Sequence, residues 1–572
     1  MPGLLRRYAL PHVASLLLIV ILLAACAAPA GGPRGESANS QARPAAPKKL
    51  LAGIMGNPPT FAQKINSAGA GNIPGTAEVE ALLSSGLSVK NDAGVQAPLL
   101  ATSVPAIENG LWVLLPDGTM ETTWKLRPDA TWHDGAPFTV DDLLFTARVE
   151  QDRDLPLSRD RAFEVTSGFE ATDPHTLIAR WRQPYIYADL LFSGWIAPKH
   201  LLESTYLEDK DSFTQLPHWS RDFVGTGPFK LKEWVQGSHA VLKANEAYPL
   251  GKPLLDEIEV RFIPDAGTLI ANILAGTVEL TLGRSISLDE GMRLQEQWPA
   301  GRMHPGPANT WIQIYPQFMN ATPAVVTELS FRRALLHAVD RQDLADTIQS
   351  GLLPVAHSYV GPNEPEYEAV QRYLVKYDYD PRRAAQLIEE LGYTRGSGGY
   401  VDSSGARLNV ELRTTKEDIH EKSMLAVADY WQRAGVSVDQ LIIPQQRVRD
   451  QEYRANFPAF QIQIQSTKLA SLDRFRSSRV PLAENRWVGD NYPRYTNPEL
   501  EGLIQRYFTA VPRAERTDVL GQMMHHMTDR LVIIPMFHSS NPFMIAHRVE
   551  HVGTSRLADH QWNAHLWDVK AS

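Results

Sequence analysis

One cysteine, Cys26, is all that 572 residues carry. An intramolecular disulfide is therefore impossible, and no second thiol is available for Cys/His chemistry. The chain also lacks a Gly-x-Ser-x-Gly elbow and a His-Glu-x-x-His pair, the marks of serine hydrolases and zinc peptidases. A phosphate loop is missing too. Gly225-Thr226-Gly227 runs into Pro228, which removes an N–H that a phosphate would need. Positive charge is in deficit, 56 Lys and Arg against 65 Asp and Glu, so there is no electrostatic footprint for nucleic acid and no such partner is expected. His133-Asp134 and His525-His526 are the pairs that invite a metal or catalytic reading. Two histidines adjacent on a helix point about 100° apart, too far to share one ion. No cofactor, no metal and no catalytic residue are expected, although any two of so many acids meeting in a cleft would leave a secreted hydrolase as the alternative.

What the chain does have is length, turns and an export signal. At 572 residues it exceeds what one hydrophobic core supports, so two or three domains are expected, and 40 Pro with 38 Gly argue against a long-helix architecture. Arg6-Arg7 precede an apolar run from Ala14 to Ala25, too short to span a bilayer but right for a signal-peptide core. The run ends Leu23-Ala24-Ala25-Cys26, which resembles a bacterial lipoprotein box in which Cys26 is acylated; a plain secretory leader with an incidental cysteine is the other reading. Residues 26–49 are rich in Ala, Pro, Gly and Ser without apolar periodicity and read as a flexible tether.

The body opens on Lys49–Met55, a short apolar run read as a strand, with a helix expected over Thr76–Leu87. Alternation in Thr123–Arg127 predicts a half-buried strand, Asp134-Gly135 a tight turn, and Thr139 the cap of a helix whose first turn holds Asp141 and Asp142. Ile258–Ile263, Ala266–Ala275 and Val278–Leu282 form one strand–helix–strand unit; Leu408–Thr414, Glu417–Ala434 and Val436–Ile443 form another. Trp311–Tyr315 alternates as a strand, Ser330–Arg341 carries a helical apolar stripe that makes His337 structural, and Leu531–Phe537 reads as a strand.

The stretch WKLRPDATWHDGAPFTVDDLLFTAR, from Trp124 to Arg148, closely resembles the signature of the extracellular solute-binding proteins of the peptide/nickel class, family 5, which deliver ligands to ABC importers. The resemblance runs collinearly through Gln96–Ala101, Gly225–Leu231, Ser330–Arg341 and Asn497–Leu500. It implies an α/β, two-lobed periplasmic-binding-protein-like fold with a subdomain inserted in the first lobe. The boundaries expected are leader 1–25, tether 26–49, first lobe 50–75, 190–308 and 541–572, insert 76–189 and second lobe 309–540. Implied partners are a small solute, the permease subunits in the membrane and, through Cys26, the membrane itself, for a monomer exported to the cell envelope.

The resemblance also proposes ligand-binding positions: Asn57, Pro59, Thr60 and Phe61 after the first strand, and Trp311, Gln313, Tyr315, Phe537 and His538 where relatives line the cleft with aromatics. Peptide-binding relatives carry an acid in the second lobe that pairs with the ligand's amino group. Here the corresponding residues, Gln461 to Lys468, hold none. Gln463 and Gln465 share one strand face, with Ser466 beside them, and offer donors and acceptors without charge. That suits a neutral polar solute such as a sugar, or peptide backbone read by hydrogen bonds; a solvent-facing edge of alternating Gln is the plain alternative. An oligosaccharide or a nickel or metal chelate in the same fold remains open.

Overall fold

The computed structural model of the chain describes residues 47–70, 73–306, 308–555 and 557–570. The expected leader, Cys26 and the tether up to residue 46 lie outside the described residues. The tether's last residues are structural instead: Lys48 pairs with Asp568 at 2.7 Å, and Lys49 opens the first strand.

Two large sheets organise the folded body. The first has seven strands in the order Gly301–His304, Phe543–Ala546, Leu280–Thr281, Lys49–Ile54, Glu257–Phe262, His239–Ala244 and Phe229–Val235. Its centre is Lys49–Ile54, parallel to the strands on both sides. The helix Ala266–Leu274 thus crosses from Glu257–Phe262 to Leu280–Thr281 over an intervening strand, so the expected strand–helix–strand unit is real but its strands are not neighbours. Leu50, Ala52, Ile54, Ile258 and Val260 are fully buried beneath it.

The second sheet has five strands, Ser437–Ile442, Asn409–Thr414, Phe460–Ser466, Thr310–Pro316 and Ile534–Ser539. Asn409–Thr414 and Ser437–Ile442 are adjacent and parallel, joined by the helix Asp418–Arg433. The long helix expected over Ser330–Arg341 ends at His337, because Asp340 leaves helical geometry and accepts hydrogen bonds from the amides of Gln342 and Asp343 to start a new helix. His337 itself bonds the Asp378 carbonyl through Nδ1 at 2.8 Å. The chain passes between the two sheets twice, from His304 to Thr310 and from Ser539 to Phe543.

A four-stranded sheet, Trp112–Leu114, Met120–Lys125, Thr176–Trp181 and Thr166–Asp173, builds the inserted region. Packing places its ends differently from the expected 76–189. Val79, Leu82 and Leu83 of the helix Thr76–Leu83 join the core of the seven-stranded sheet, while Leu202, Tyr206, Phe213 and Trp219 pack on Phe145 and Val149 of the helix Val140–Gln151.

The signature stretch is the brace of this region. Thr139 and Asp142 form the two halves of a capping box, and Asp142 also accepts from Trp132 Nε1 at 3.2 Å and from the Lys199 amide at 3.0 Å. Gly135 takes φ 93° in the turn between them. His133 is held neutral, its pKa pushed down to about 4 by burial: Nδ1 accepts from the Gly225 amide at 3.1 Å, and Nε2 donates to the Gly227 carbonyl at 3.1 Å. Those glycines are required, since a Cβ at Gly225 or Gly227 would lie within 2.5 Å of the backbone of Leu83. Two segments that the sequence marks separately are therefore one structural joint.

Candidate functional site

Thr310–Pro316 divides the second sheet into two chemically opposite faces. Ile312 and Ile314 point into the apolar core under the helices Leu329–His337 and Asp418–Arg433. Trp311, Gln313 and Tyr315 point the other way, as the period of two requires. Phe460–Ser466 runs antiparallel beside it with Trp311 opposite Gln465, Gln313 opposite Gln463 and Tyr315 opposite Gln461. On the other side Trp311 is opposite His538. One face thus carries successive rows: His538, Trp311 and Gln465 nearest the crossing segments, then Gln313 and Gln463, then Tyr315 and Gln461.

The strand Phe460–Ser466 is internal, flanked on both sides, so its glutamines do not line a solvent-facing edge. Gln313 is 0% exposed and Gln463 6%. Yet neither amide atom of Gln313 has a hydrogen-bond partner, nor have Gln463 Nε2, Trp311 Nε1, Tyr315 Oη or either ring nitrogen of His538. Buried polar groups in native proteins are nearly always paired, because leaving one desolvated and unbonded costs about 1–3 kcal/mol. A run of them on one sheet face marks a surface shaped to meet polar atoms. Two acceptors there are already used: Gln463 Oε1 takes Gln461 Nε2 at 2.9 Å, and Gln465 Oε1 takes Arg474 Nη1 at 2.5 Å.

The layer over this face comes from irregular chain. Tyr359 meets Trp311 edge-on with ring centres 5.6 Å apart, Tyr492 lies 6.0 Å from Tyr315, and Tyr367 lies 6.4 Å from His538. Burial, with His357 adding to it, pushes the His538 pKa down to about 3, so this imidazole is neutral; burial pushes the Tyr315 hydroxyl up to about 12. Glu364, whose carbonyl accepts from the Tyr367 amide at 3.0 Å, has its carboxyl raised by burial against the opposing pull of Lys90, with Glu366 adding to the rise. Tyr359, Glu364 and Arg474 lie in bends and a 3-10 stretch, and Tyr367 opens a four-residue helix, segments too short or irregular for periodicity to mark a face.

The remaining expected positions are placed less favourably. Phe61 is fully buried in the first core, against Phe223 and Trp234, and Phe537 is fully buried in the second core on the face away from Trp311. Neither lines that face: Phe537 stands opposite Ile312, and the period of two puts it on the core side, away from its neighbour His538. Thr60 spends its hydroxyl locally on Asn66 Oδ1 at 3.0 Å. Asn57 and Pro59 are exposed. Ser466 ends its strand, opposite Thr310, and accepts from the Lys468 amide at 3.2 Å.

Charged and hydroxyl pairs join the two sides. Arg284 meets Glu417 at 3.1 Å, Asp289 meets Lys422 at 3.0 Å and Asp559 lies 3.9 Å from Lys468. The inserted region touches the second sheet's helices through Tyr187 and Tyr507 hydroxyls at 2.7 Å and an Arg161–Asp473 ion pair. Beside the first sheet a cavity of about 140 Å³ is lined by Glu78, Ser85, Tyr248, Asp559 and Trp562 among others. Burial, then Asp559, raises the Glu78 carboxyl to about 7. Among the described residues no cluster of three or more His, Cys, Asp or Glu is arranged to hold a metal, and no helix is long and apolar enough to cross a membrane.

The family model described as bacterial extracellular solute-binding proteins, family 5 middle, matches residues 97–478. The oligopeptide-binding protein AppA of Bacillus subtilis (strain 168) is 25% identical over 521 residues, covering 87% of this chain and 88% of that one. Its solved structure, in complex with a nonapeptide, superposes with a TM-score of 0.74 at 21% identity over 92% of this chain and all of that one. NikZ from Campylobacter jejuni, solved with Ni(L-His), gives a TM-score of 0.76 at 19% identity over 91% of this chain and 99% of its own.

Proposed function

We propose that this chain, which belongs to the bacterial extracellular solute-binding proteins of family 5, captures a peptide-like or other polar small solute between its two lobes and passes it to the permease of an ABC importer. The observation that carries this reading is the buried face of Trp311, Gln313, Tyr315, Gln463 and His538, on which every side-chain polar atom but Gln463 Oε1 lacks a hydrogen-bond partner within the protein. A solute closing the two lobes over that face would supply the missing hydrogen bonds, and the crossing segments 304–310 and 539–543 are where a hinge would act. AppA binds an oligopeptide and NikZ a nickel–histidine complex. The peptide reading is preferred here because the face offers hydrogen-bonding side chains suited to peptide backbone.

The two crossings support a second lobe over about 309–540 and a first lobe from the rest of the folded chain, with the four-stranded region inserted in it. Cys26 would anchor the protein by lipid at the outer face of the cytoplasmic membrane or in the periplasm, and the protein would act as a monomer without turning its solute over. The test is to purify the protein from its own host, identify the co-purified small molecule by mass spectrometry, and add it back to stripped protein in solution scattering. A fall in radius of gyration on adding it is expected; an unchanged curve at saturation refutes the clamp.

A further inference from the structure

We propose that Arg474 reads a carboxylate on the solute, an assignment that rests on the solute-binding reading and narrows it to acids. Arg474 lies in the 3-10 stretch Leu469–Phe475, which covers the polar face. Its Nη1 donates to Gln465 Oε1, the residue opposite Trp311, and its Nε donates to the Ser471 carbonyl at 3.2 Å. These fixed, uncharged acceptors orient the guanidinium without neutralising it.

The arginines beside it in the chain are, by contrast, ion-paired. Arg476 is paired with Asp473 at 2.7 Å and with Glu501 at 3.1 Å; Arg479 is paired with Asp490 at 3.4 Å and Asp473 at 3.6 Å; Arg161 also lies on Asp473. Among the described residues Arg474 has no carboxylate within 4 Å. Its flanks are the buried hydroxyls of Tyr315 and Tyr359, with Tyr315 leaning on the guanidinium, and Asp490, the acid that also pulls on it, is paired with Arg479. With no carboxylate at ion-pair distance and the charge held in place by neutral acceptors, the guanidinium keeps room for an anion that arrives.

The donor count points the same way. Gln463 and Gln465 have their carbonyl oxygens occupied, so Gln463 presents its NH₂, Trp311 its indole N–H, and Tyr315 and Tyr359 their O–H groups. Against these donors the face sets fewer unpartnered acceptors: Gln313 Oε1, one ring nitrogen of the neutral His538 and, at the start of the strand, Asn309 Oδ1. A sugar hydroxyl donates as well as accepts and would leave most of these donors competing. A carboxylate accepts at two oxygens and takes a guanidinium N–H with tyrosine hydroxyls at full strength.

The test uses the mature chain, stripped of ligand, with defined probes: tetra-alanine and glucuronate as acids, and tetra-alanine amide, glucuronamide and raffinose as uncharged counterparts. Calorimetry gives the affinities and solution scattering reports closure. At least one acid should bind and close the protein about tenfold or more tighter than its amide. Arg474→Gln should remove that difference, and Tyr359→Phe, which keeps the ring and its packing, should shrink it severalfold. Equal affinity for acid and amide, an acid preference that survives Arg474→Gln in a folded variant, or binding and closure with uncharged probes alone would overturn the carboxylate assignment and leave the solute-binding reading standing. No binding or closure with any probe in either set would count against both.

Discussion

Replacing Gln313 with Leu should make the protein more stable and a poorer binder. Gln313 is fully buried, and both atoms of its amide lack a partner. Each such atom carries a desolvation cost of about 1–3 kcal/mol, whereas fitting a leucine of similar volume into the same space costs less than about 1.5 kcal/mol. The stripped protein should therefore gain about 1–2 kcal/mol in urea melts, a rise of only about 1–2 °C in melting temperature for a body of this size. Solute affinity should fall about tenfold, because a bound polar atom would then face a methyl group. Ile314→Ala, one residue on and on the opposite face, is the control: it should cost about 2–5 kcal/mol and leave affinity unchanged. Urea melts of stripped protein and calorimetry with the co-purified solute read both quantities. A Gln313→Leu variant less stable than wild type would mean that the amide is bonded in the folded state. Unaltered affinity would mean that this face does not meet the solute.

The opposition between Gln313 and Ile314 was legible in the sequence as alternation, but which of the two faces is apolar core and which meets ligand was not. Period two assigns residues to faces; only the helices Leu329–His337 and Asp418–Arg433, arriving from elsewhere in the chain, decide that the isoleucine face is covered. The capped helix at Thr139 and the turn at Gly135 were legible for a local reason, since their hydrogen bonds lie within a few residues. Strand order was not local: Lys49–Ile54 separates two strands that are joined by one helix. Aromatic character misled at Phe61 and Phe537, because a ring after a strand end serves core packing as readily as a ligand. The absence of an acid from Gln461–Lys468 points to an uncharged site, yet the fold brings Arg474 to the same face from a segment with no pattern to announce it.

Three further outcomes are expected. Thr139→Ala should destabilise the protein by about 1 kcal/mol through loss of half the capping box, with affinity unchanged, and melts matching wild type would contradict the box. Cys26→Ser should move the mature protein from the membrane fraction to the soluble fraction, so membrane retention on fractionation would rule out the lipid anchor. Glu78 should make stability fall as pH rises, and the sign follows from burial. Its carboxyl titrates near 7 in the folded protein, lifted by desolvation and by Asp559 against Lys468 and Arg284, compared with 4.5 for the unshifted group. Between those values the folded state holds a proton that the unfolded state has released, so the contribution is complete below 4.5 and is lost as pH climbs through 7. The loss is at most about 3 kcal/mol at 1.36 kcal/mol per unit. Glu78→Gln keeps the shape and removes the titration, so in urea melts at pH 5 and pH 8 the variant should lose less stability than wild type and should be the more stable of the two at pH 8. Other buried acids, such as Glu80 and Asp189, shift both proteins alike and cancel in the difference. Parallel losses in the two proteins would show that Glu78 is ionised in the folded state and that the cavity it lines is wetter than its burial implies.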